Sequence, residues 1–301
     1  MVNAKQVNCK LASVPGAERG LAQAAHRFGL ADLMNHACIY EEDMSKLDMV
    51  KMLLVVFALA LIGCDTSNEG NRRTPMGTQN FEEDIIKTSR GELTITLVGH
   101  GTLMFRYGQK VIHVDPVSRE ADYGKMPKGD IILITHEHRD HLDPEAIAMV
   151  RKEGTTILLP EKCASTVTGG IIMKNGDVRT IAGLECEAVP AYNIVHKRPS
   201  GEPFHPRGEG NGYIITFGDK RVYVAGDTEN VPEMKELKGI DIAFLPMNLP
   251  YTMTPDMVAD AAKAFRPKIL YPYHFGSTDT SELVKLLDEE KEIEVRIRKM
   301  E

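Results

Sequence analysis

The segment Thr135-His136-Glu137-His138-Arg139-Asp140-His141 sets three histidines and one aspartate within six residues, directly behind the apolar run Ile131 to Ile134. Imidazole and carboxylate are good ligands for zinc, manganese and iron. In an extended chain alternate side chains share a face. His136 and His138 can therefore converge on one ion, while Asp140 and His141, beyond a bend, can address a second. Three more candidates follow apolar runs downstream: His196 in AYNIVHKRP, Asp227 in VAGDTEN and His274 in YPYHFG. Singly each has an ordinary reading, as a surface histidine or as a turn-forming aspartate after glycine. Together they complete a set of five histidines and two aspartates, the donor inventory of a metal centre.

The order HxHxDH, a distant histidine, Gly-Asp-Thr and a late histidine resembles the metallo-β-lactamase superfamily over roughly residues 92–301. Gly99-His100-Gly101-Thr102, Val114-Asp115-Pro116 and Tyr271-Pro272-Tyr273-His274 are similar to one branch of it. That branch contains L-ascorbate-6-phosphate lactonase and N-acyl-phosphatidylethanolamine phospholipase D. The resemblance implies an α+β fold, a four-layer αββα sandwich with metals at one edge of the sheets. It implies that His136, His138 and His196 hold a first ion, that Asp140, His141 and His274 hold a second, and that Asp227 bridges them. The ions expected are two divalent metals, zinc first, with manganese or iron as alternatives. The expected function is hydrolysis of an ester or lactone, an amide or a phosphodiester in a small molecule or lipid. A metal-bridging hydroxide would attack, and Asp140 would orient it and relay its proton.

Other residues have candidate roles around this set. Asp115 ends an apolar run, and is either a partner fixing a ligand histidine or a turn aspartate before proline. His100, between glycines, is a candidate catalytic donor at the mouth of the site, or a histidine packing a strand turn. His113, among apolar residues, reads as structural. Residues 197–212, KRPSGEPFHPRGEGNG, form a glycine- and proline-rich insert after His196, expected to lie over the metals as a lid. Its Arg198, His205 and Arg207 are candidate substrate contacts, the arginines for an anion. By family analogy Asn248, Tyr251 and Thr252 form a loop at the same cleft.

These residues need strand ends to aim them. LTITLVG, TLMFRYG and KVIHVDP read as a meander of strands, and DIILITH as a buried strand running into the histidine cluster. Asp143-Pro144 starts a helix, with the aspartate as N-cap and proline at the first position. TTILLP, LECEAVPAY, GYIITFG and KRVYVAG continue as strands. DIAFLPM and KILYPYH are strands alternating with the helices TPDMVADAAKAF and SELVKLLDEE, and IEVRIRK closes the chain. Strands first, then strands alternating with helices, suit two packed sheets with helices outside. No repeat at a solenoid period is present.

The N-terminal part is organised differently. Leu53 to Ile62 is an apolar run, LLVVFALALI, preceded by Lys51 and closed by Gly63-Cys64. It is shorter than the ~20 residues of a membrane span and has the length of a signal-peptide core. The Gly-Cys ending resembles a bacterial lipobox, which implies lipidation of Cys64 and a lipoprotein on the extracytoplasmic face of a bacterial membrane. The expected division is a mis-assigned extension over 1–48, a signal peptide over 49–64, a flexible tether over 65–91 and a hydrolase domain over 92–301. Translation is expected to begin at Met44 or Met49. Cys9, Cys38, Cys64, Cys163 and Cys186 contain no CxxC pair, so neither a zinc finger nor a disulfide framework is indicated. The net charge of −7 argues against nucleic acid as partner. A nuclease is therefore the weaker alternative, beside an iron-dependent oxygen or persulfide enzyme on the same scaffold. A non-enzymatic binding lipoprotein would have no need of seven such donors, and β-lactam hydrolysis is not favoured.

Overall fold

A computed structural model describes residues 80–300 of the chain. The apolar run before Cys64, and Cys64 itself, lie outside the described residues. No helix among those described is long and apolar enough to cross a membrane.

Two seven-stranded sheets are built in chain order. The first runs β1 (Glu82–Thr88), β2 (Gly91–Gly99), β3 (Thr102–Tyr107), β4 (Lys110–Val114), β5 (Ile131–Leu133), β6 (Thr156–Leu159) and β7 (Ile171–Ile172). The second runs β8 (Val178–Ile181), β9 (Leu184–Ala191), β10 (Gly210–Phe217), β11 (Lys220–Val224), β12 (Ile242–Pro246), β13 (Ile269–Tyr273) and β14 (Glu294–Val295). In each sheet the first four strands pair antiparallel and the remaining three join in parallel. The two halves of the domain thus share one topology, although the sequence shows no repeat at a solenoid period.

The period-two alternation of the strands decides the layers. Ile95, Leu97, Leu103, Phe105, Ile131 and Leu133 join the core that includes the second sheet. Phe105 meets Phe217 and Phe244 across the gap, with ring centroids 5.6 and 6.1 Å apart. The intervening Met104, Ile132 and Ile134 face a second core with Ala146, Ile147 and Val150 of helix α1 (Pro144–Val150). Asp143 caps α1 by accepting from the backbone N–H groups of Glu145 and Ala146, as its sequence predicts.

Helix α2 (Pro232–Lys235) and helix α4 (Thr280–Leu286) flank helix α3 (Pro255–Phe265). The buried face of α3 carries Val258, Ala259, Ala261, Ala262 and Phe265, and Phe265 meets the ring of Tyr223 edge-on. This is the αββα sandwich expected.

One expectation is corrected. The end of the supposed tether is strand β1, paired with β2 along its whole length. It is pinned by Asp84, which accepts from Arg298 at 2.8 Å and lies 3.4 Å from Arg296. Of the apolar side chains of β1, Ile85 is exposed and Ile86 half-buried, so the strand is hard to see by composition. The C-terminal run IEVRIRK forms the short strand β14 over Glu294–Val295. Cys163 and Cys186 are both free and buried. Burial pushes both thiols up to about 12, so they pack as small apolar groups.

Candidate metal centre

The site lies where strands of both sheets end. Beyond β5 the chain leaves the sheet through Thr135 into His136–His141. The β2–β3 turn brings His100, β11 leads to Asp227, and β13 delivers His274. Backbone bonds tie these ends together: Asn211 N–H to Thr135 O at 2.8 Å, and His274 N–H to His100 O at 3.0 Å. The Tyr273 hydroxyl accepts from Gly226 N–H at 2.9 Å, fixing the bend before Asp227. At Gly101 a Cβ would stand 2.6 Å from His141 Cε1, so only glycine lets the turn approach the cluster. Among non-glycine residues, His100, Asp115 and His274 have left-handed backbones, with φ of 50°, 45° and 46°. Such strain gathers where surrounding structure holds a functional side chain in place.

Among the described residues three groups of metal-competent donors result: His136, His138 and His205; His136, His141 and Asp227, which share His136; and, separately, His100, Asp140 and His274. The Asp227 carboxylate is central. Its Oδ2 lies 3.2 Å from His205 Nε2, 3.6 Å from His274 Nε2 and 3.9 Å from His136 Nε2, and its Oδ1 lies 3.4 Å from His141 Nε2. Asp140 Oδ2 lies 3.3 Å from His100 Nε2 and 3.5 Å from His274 Nε2. His141 Nε2, His274 Nε2 and Asp227 Oδ1 are buried without hydrogen-bond partners. Buried polar atoms are normally paired, so three orphans aimed at one region fit cations seated there.

Electrostatics agree. Burial and the neighbouring histidines hold the His136 and His138 imidazoles below their ordinary value, in the neutral form that ligates metal. Burial alone would raise the Asp227 carboxyl, but His274, His141 and His205 hold it well below the usual carboxylate range. Burial likewise opposes charge on His141, yet Asp227 and the bond to Asp115 carry its imidazole up to about 9. A cation in place of that proton would answer the same carboxylates.

A buried inner frame orients the donors. Asp115 Oδ2 accepts from His141 Nδ1 at 2.7 Å and from the Thr135 hydroxyl at 2.6 Å. The Thr135 oxygen in turn lies 3.0 Å from His136 Nδ1. One carboxylate therefore turns Nε2 of two histidines toward the cluster, the arrangement in which outer groups fix a ligand's tautomer. His113 takes no part; its Nε2 donates to Pro127 O at 2.9 Å, as its structural reading implied.

His196 is not among the gathered donors, and His205 stands where it was expected. The cause is Glu229, a buried carboxylate that accepts from the backbone N–H of Ile194, Val195 and His196 at 2.6–2.7 Å. His196 Nδ1 lies 2.9 Å from the same carboxylate. That capture turns the start of the loop away, and the chain comes back through a small turn. Lys197 bridges to Pro203, and Arg198 N–H donates to Glu202 O at 2.7 Å. His205 then enters the cluster, with Nδ1 donating to Asn193 Oδ1 at 2.6 Å. Asn193 itself donates to Glu229 at 3.1 Å and to Tyr251 O at 2.9 Å. The insert is thus part of the metal-competent cluster, not a detachable lid over it.

The donors open on a cleft of about 450 Å³. Arg198, Asn248 and Tyr251 line it, as expected, and so do Arg119, Arg139 and Phe204, which sequence reasoning missed. Arg207 is not on its wall. It pairs with Glu233 and packs over the ring of Tyr192. Thr252 holds the Asn248 turn, accepting from Asn248 N–H at 2.7 Å.

Residues 94–274 match the family profile of the beta-lactamase superfamily domain. A crystal structure of a protein from Parabacteroides distasonis, described as a metal-dependent hydrolase, is 53% identical, with a TM-score of 0.70; the match covers 74% of this chain and all of that one. Igni18, described as a metallo hydrolase from Ignicoccus hospitalis, is 25% identical with a TM-score of 0.57, over 68% of this chain and 94% of its own. A UPF0173 metal-dependent hydrolase from Koribacter versatilis is 33% identical over 204 residues, 62% of this chain and 85% of that protein. The chain belongs to the metallo-β-lactamase superfamily, and within it to the metal-dependent hydrolases that these relatives represent. It is an enzyme of that class.

Proposed function

We propose that the protein is a binuclear hydrolase that cleaves an ester or lactone, an amide or a phosphodiester bond in a small molecule or lipid. The observation that carries this is the convergence on the Asp227 carboxylate of His141 Nε2 and His274 Nε2, both buried without a hydrogen-bond partner. His136, His138 and His205 would hold one ion and Asp140, His141 and His274 the other, with Asp227 between them. Bound divalent cations would supply an acidified water and polarise the attacked oxygen. Imidazole and carboxylate donors suit zinc, and manganese or iron fit the same set.

The chain's own groups would do the rest. Asp140 is partly open to the cleft, with 35% of its side chain exposed, and His100 Nε2 stands 3.3 Å from its Oδ2. Asp140 would orient the attacking oxygen and accept its proton, and His100 would hold that carboxylate in place. The resemblance of the sequence motifs to a branch containing a lactonase and a phospholipase D is a reason to include both bond types in a test.

A panel of lactone, phosphodiester and N-acyl substrates, offered to zinc- and manganese-loaded protein, should find one class turned over. Asp227→Ala should abolish that turnover and lower bound metal well below the wild-type value. Metal content and activity both unchanged would sink the bridging role. Action at the extracytoplasmic membrane face is proposed from the sequence alone. Cys64→Ala should lose labelling by radioactive palmitate, and equal labelling of variant and wild type would exclude Cys64 as the anchor.

A further inference from the structure

Resting on the hydrolase reading, we propose that the substrate is an organic anion. Its charged group would be held by Arg139 and Arg198, and its apolar part would lie against Phe204 and Tyr251. Three guanidinium side chains line the cleft, Arg119, Arg139 and Arg198. The carboxylates on the same wall are Asp140 and Asp227, both within the metal-competent groups. Once cations answer those two carboxylates, the cleft is a concentrated positive site on a chain whose net charge is −7. A cleft of one sign with low-dielectric walls focuses its field on the ligand.

The three arginines are not equivalent. Arg119 is spent on Glu120 at 2.8 Å, and 62% of its side chain is exposed. Arg139 forms no ion pair among the described residues. Arg198 donates to the Phe204 carbonyl at 3.2 Å and lies over the Phe204 ring, 5.2 Å from its centroid. Its terminal nitrogen stands 3.4 Å from His138 Nε2. That contact and the bond to Phe204 O both use one terminal nitrogen of the guanidinium. Arg198 therefore keeps open N–H groups beside the metal ligands, where a planar guanidinium can take a carboxylate or phosphate oxygen pair.

Beside Arg198 the cleft turns aromatic. Phe204 meets Tyr251 edge-on with centroids 5.1 Å apart. On the two loops clasped by the Asn193–Tyr251 bond, Ile194, Val195 and Leu249 are exposed. Cationic and apolar walls around one reaction centre select a ligand with both characters, and an inorganic anion would leave the aromatic wall unused.

The test reads binding and not turnover, so it stands whether or not the substrate panel finds a cleaved bond. Zinc-loaded protein is titrated calorimetrically with 4-phenylbutyrate, 3-phenylpropylphosphonate and the neutral 4-phenylbutanol, with zinc content checked in every variant. The anions should bind wild type at least about tenfold more tightly than the alcohol, and more weakly as salt is added. The arm with the larger preference identifies a carboxylate or a phosphate-like group. Arg139→Ala with Arg198→Ala should lose about tenfold for the anions and leave the alcohol unchanged. Arg139→Lys with Arg198→Lys should retain part of the preference. Equal anion affinity in the alanine variant and wild type would show that the metals alone hold the charge, and would overturn the proposal. Failure of wild type to bind any of the three probes would overturn it as well.

Discussion

His196 and His205 sit on the same connection between β9 and β10, yet only His205 reaches the donor cluster. Metal analysis of the two alanine variants separates them. His205→Ala should lose bound metal, while His196→Ala should stay near wild type. The reverse result would return the ligand role to His196. The support of His205 gives a second prediction. Asn193 accepts from its Nδ1 and is itself held by Glu229. Asn193→Ala should weaken metal binding by about 10–100-fold in a chelator competition, the usual effect of removing such a support. Asn193→Asp, which keeps the acceptor, should recover part of it. The HxHxDH donors, Asp227 and His274 were legible in sequence because their spacing relative to strand ends carries the information. His205 was not legible, because the choice between two loop histidines depends on Glu229, a carboxylate far along the chain. The available signal was that carboxylate in Gly-Asp-Thr-Glu, an acidic side chain destined for burial and in need of N–H partners.

Among the elements, β1 shows what pattern reading misses. Its burial alternates only weakly, and the strand is held by its edge pairing and by Asp84. That carboxylate is 14% exposed, bonded to Arg298 and to the Tyr271 hydroxyl, with Arg296 beside it. Burial works against its charge, but the bonds to Arg298 and Tyr271 keep it below the usual carboxylate range. Asp84→Ala would leave the Arg298 guanidinium without its carboxylate, and should cost about 2 kcal/mol, allowing for partial exposure. Thermal melting of the metal-loaded protein checks this, and an unchanged midpoint would make β1 a dispensable edge. Strands β7 and β8 also went unread, being short and largely exposed; the long strands of both sheets were legible because their alternation or continuous apolar runs match the two core faces. The insert was misread as a lid because its glycines and prolines conceal the turn from Lys197 to Pro203, which commits it to the site.

At the scale of the whole domain, acid should loosen the fold through His113 as well as through the metal centre. This histidine is buried, and burial lowers its imidazole to about 4 from an ordinary 6.5, against the opposing bond to Pro127 O. Between those values the unfolded chain binds a proton that the native state does not. Its contribution is therefore complete above pH 6.5 and lost as pH falls toward 4, about 3 kcal/mol in all. Denaturant unfolding of wild type and His113→Gln between pH 4 and 7 should show a shallower pH slope in the variant, and parallel slopes would refute it. The shared topology of the two halves has a different consequence. His136, His138, Asp140 and His141 come from the β1–β7 half, while His205, Asp227 and His274 come from the β8–β14 half. Neither half holds the full donor set for either proposed ion. Were the chain cut between Met173 and Lys174, those ions would become the ligands of a heterodimer. Its assembly would then obey mass action in free metal. The fragments share the core between the sheets, so they should associate more tightly with zinc than after chelation, a coupling that sedimentation would follow directly.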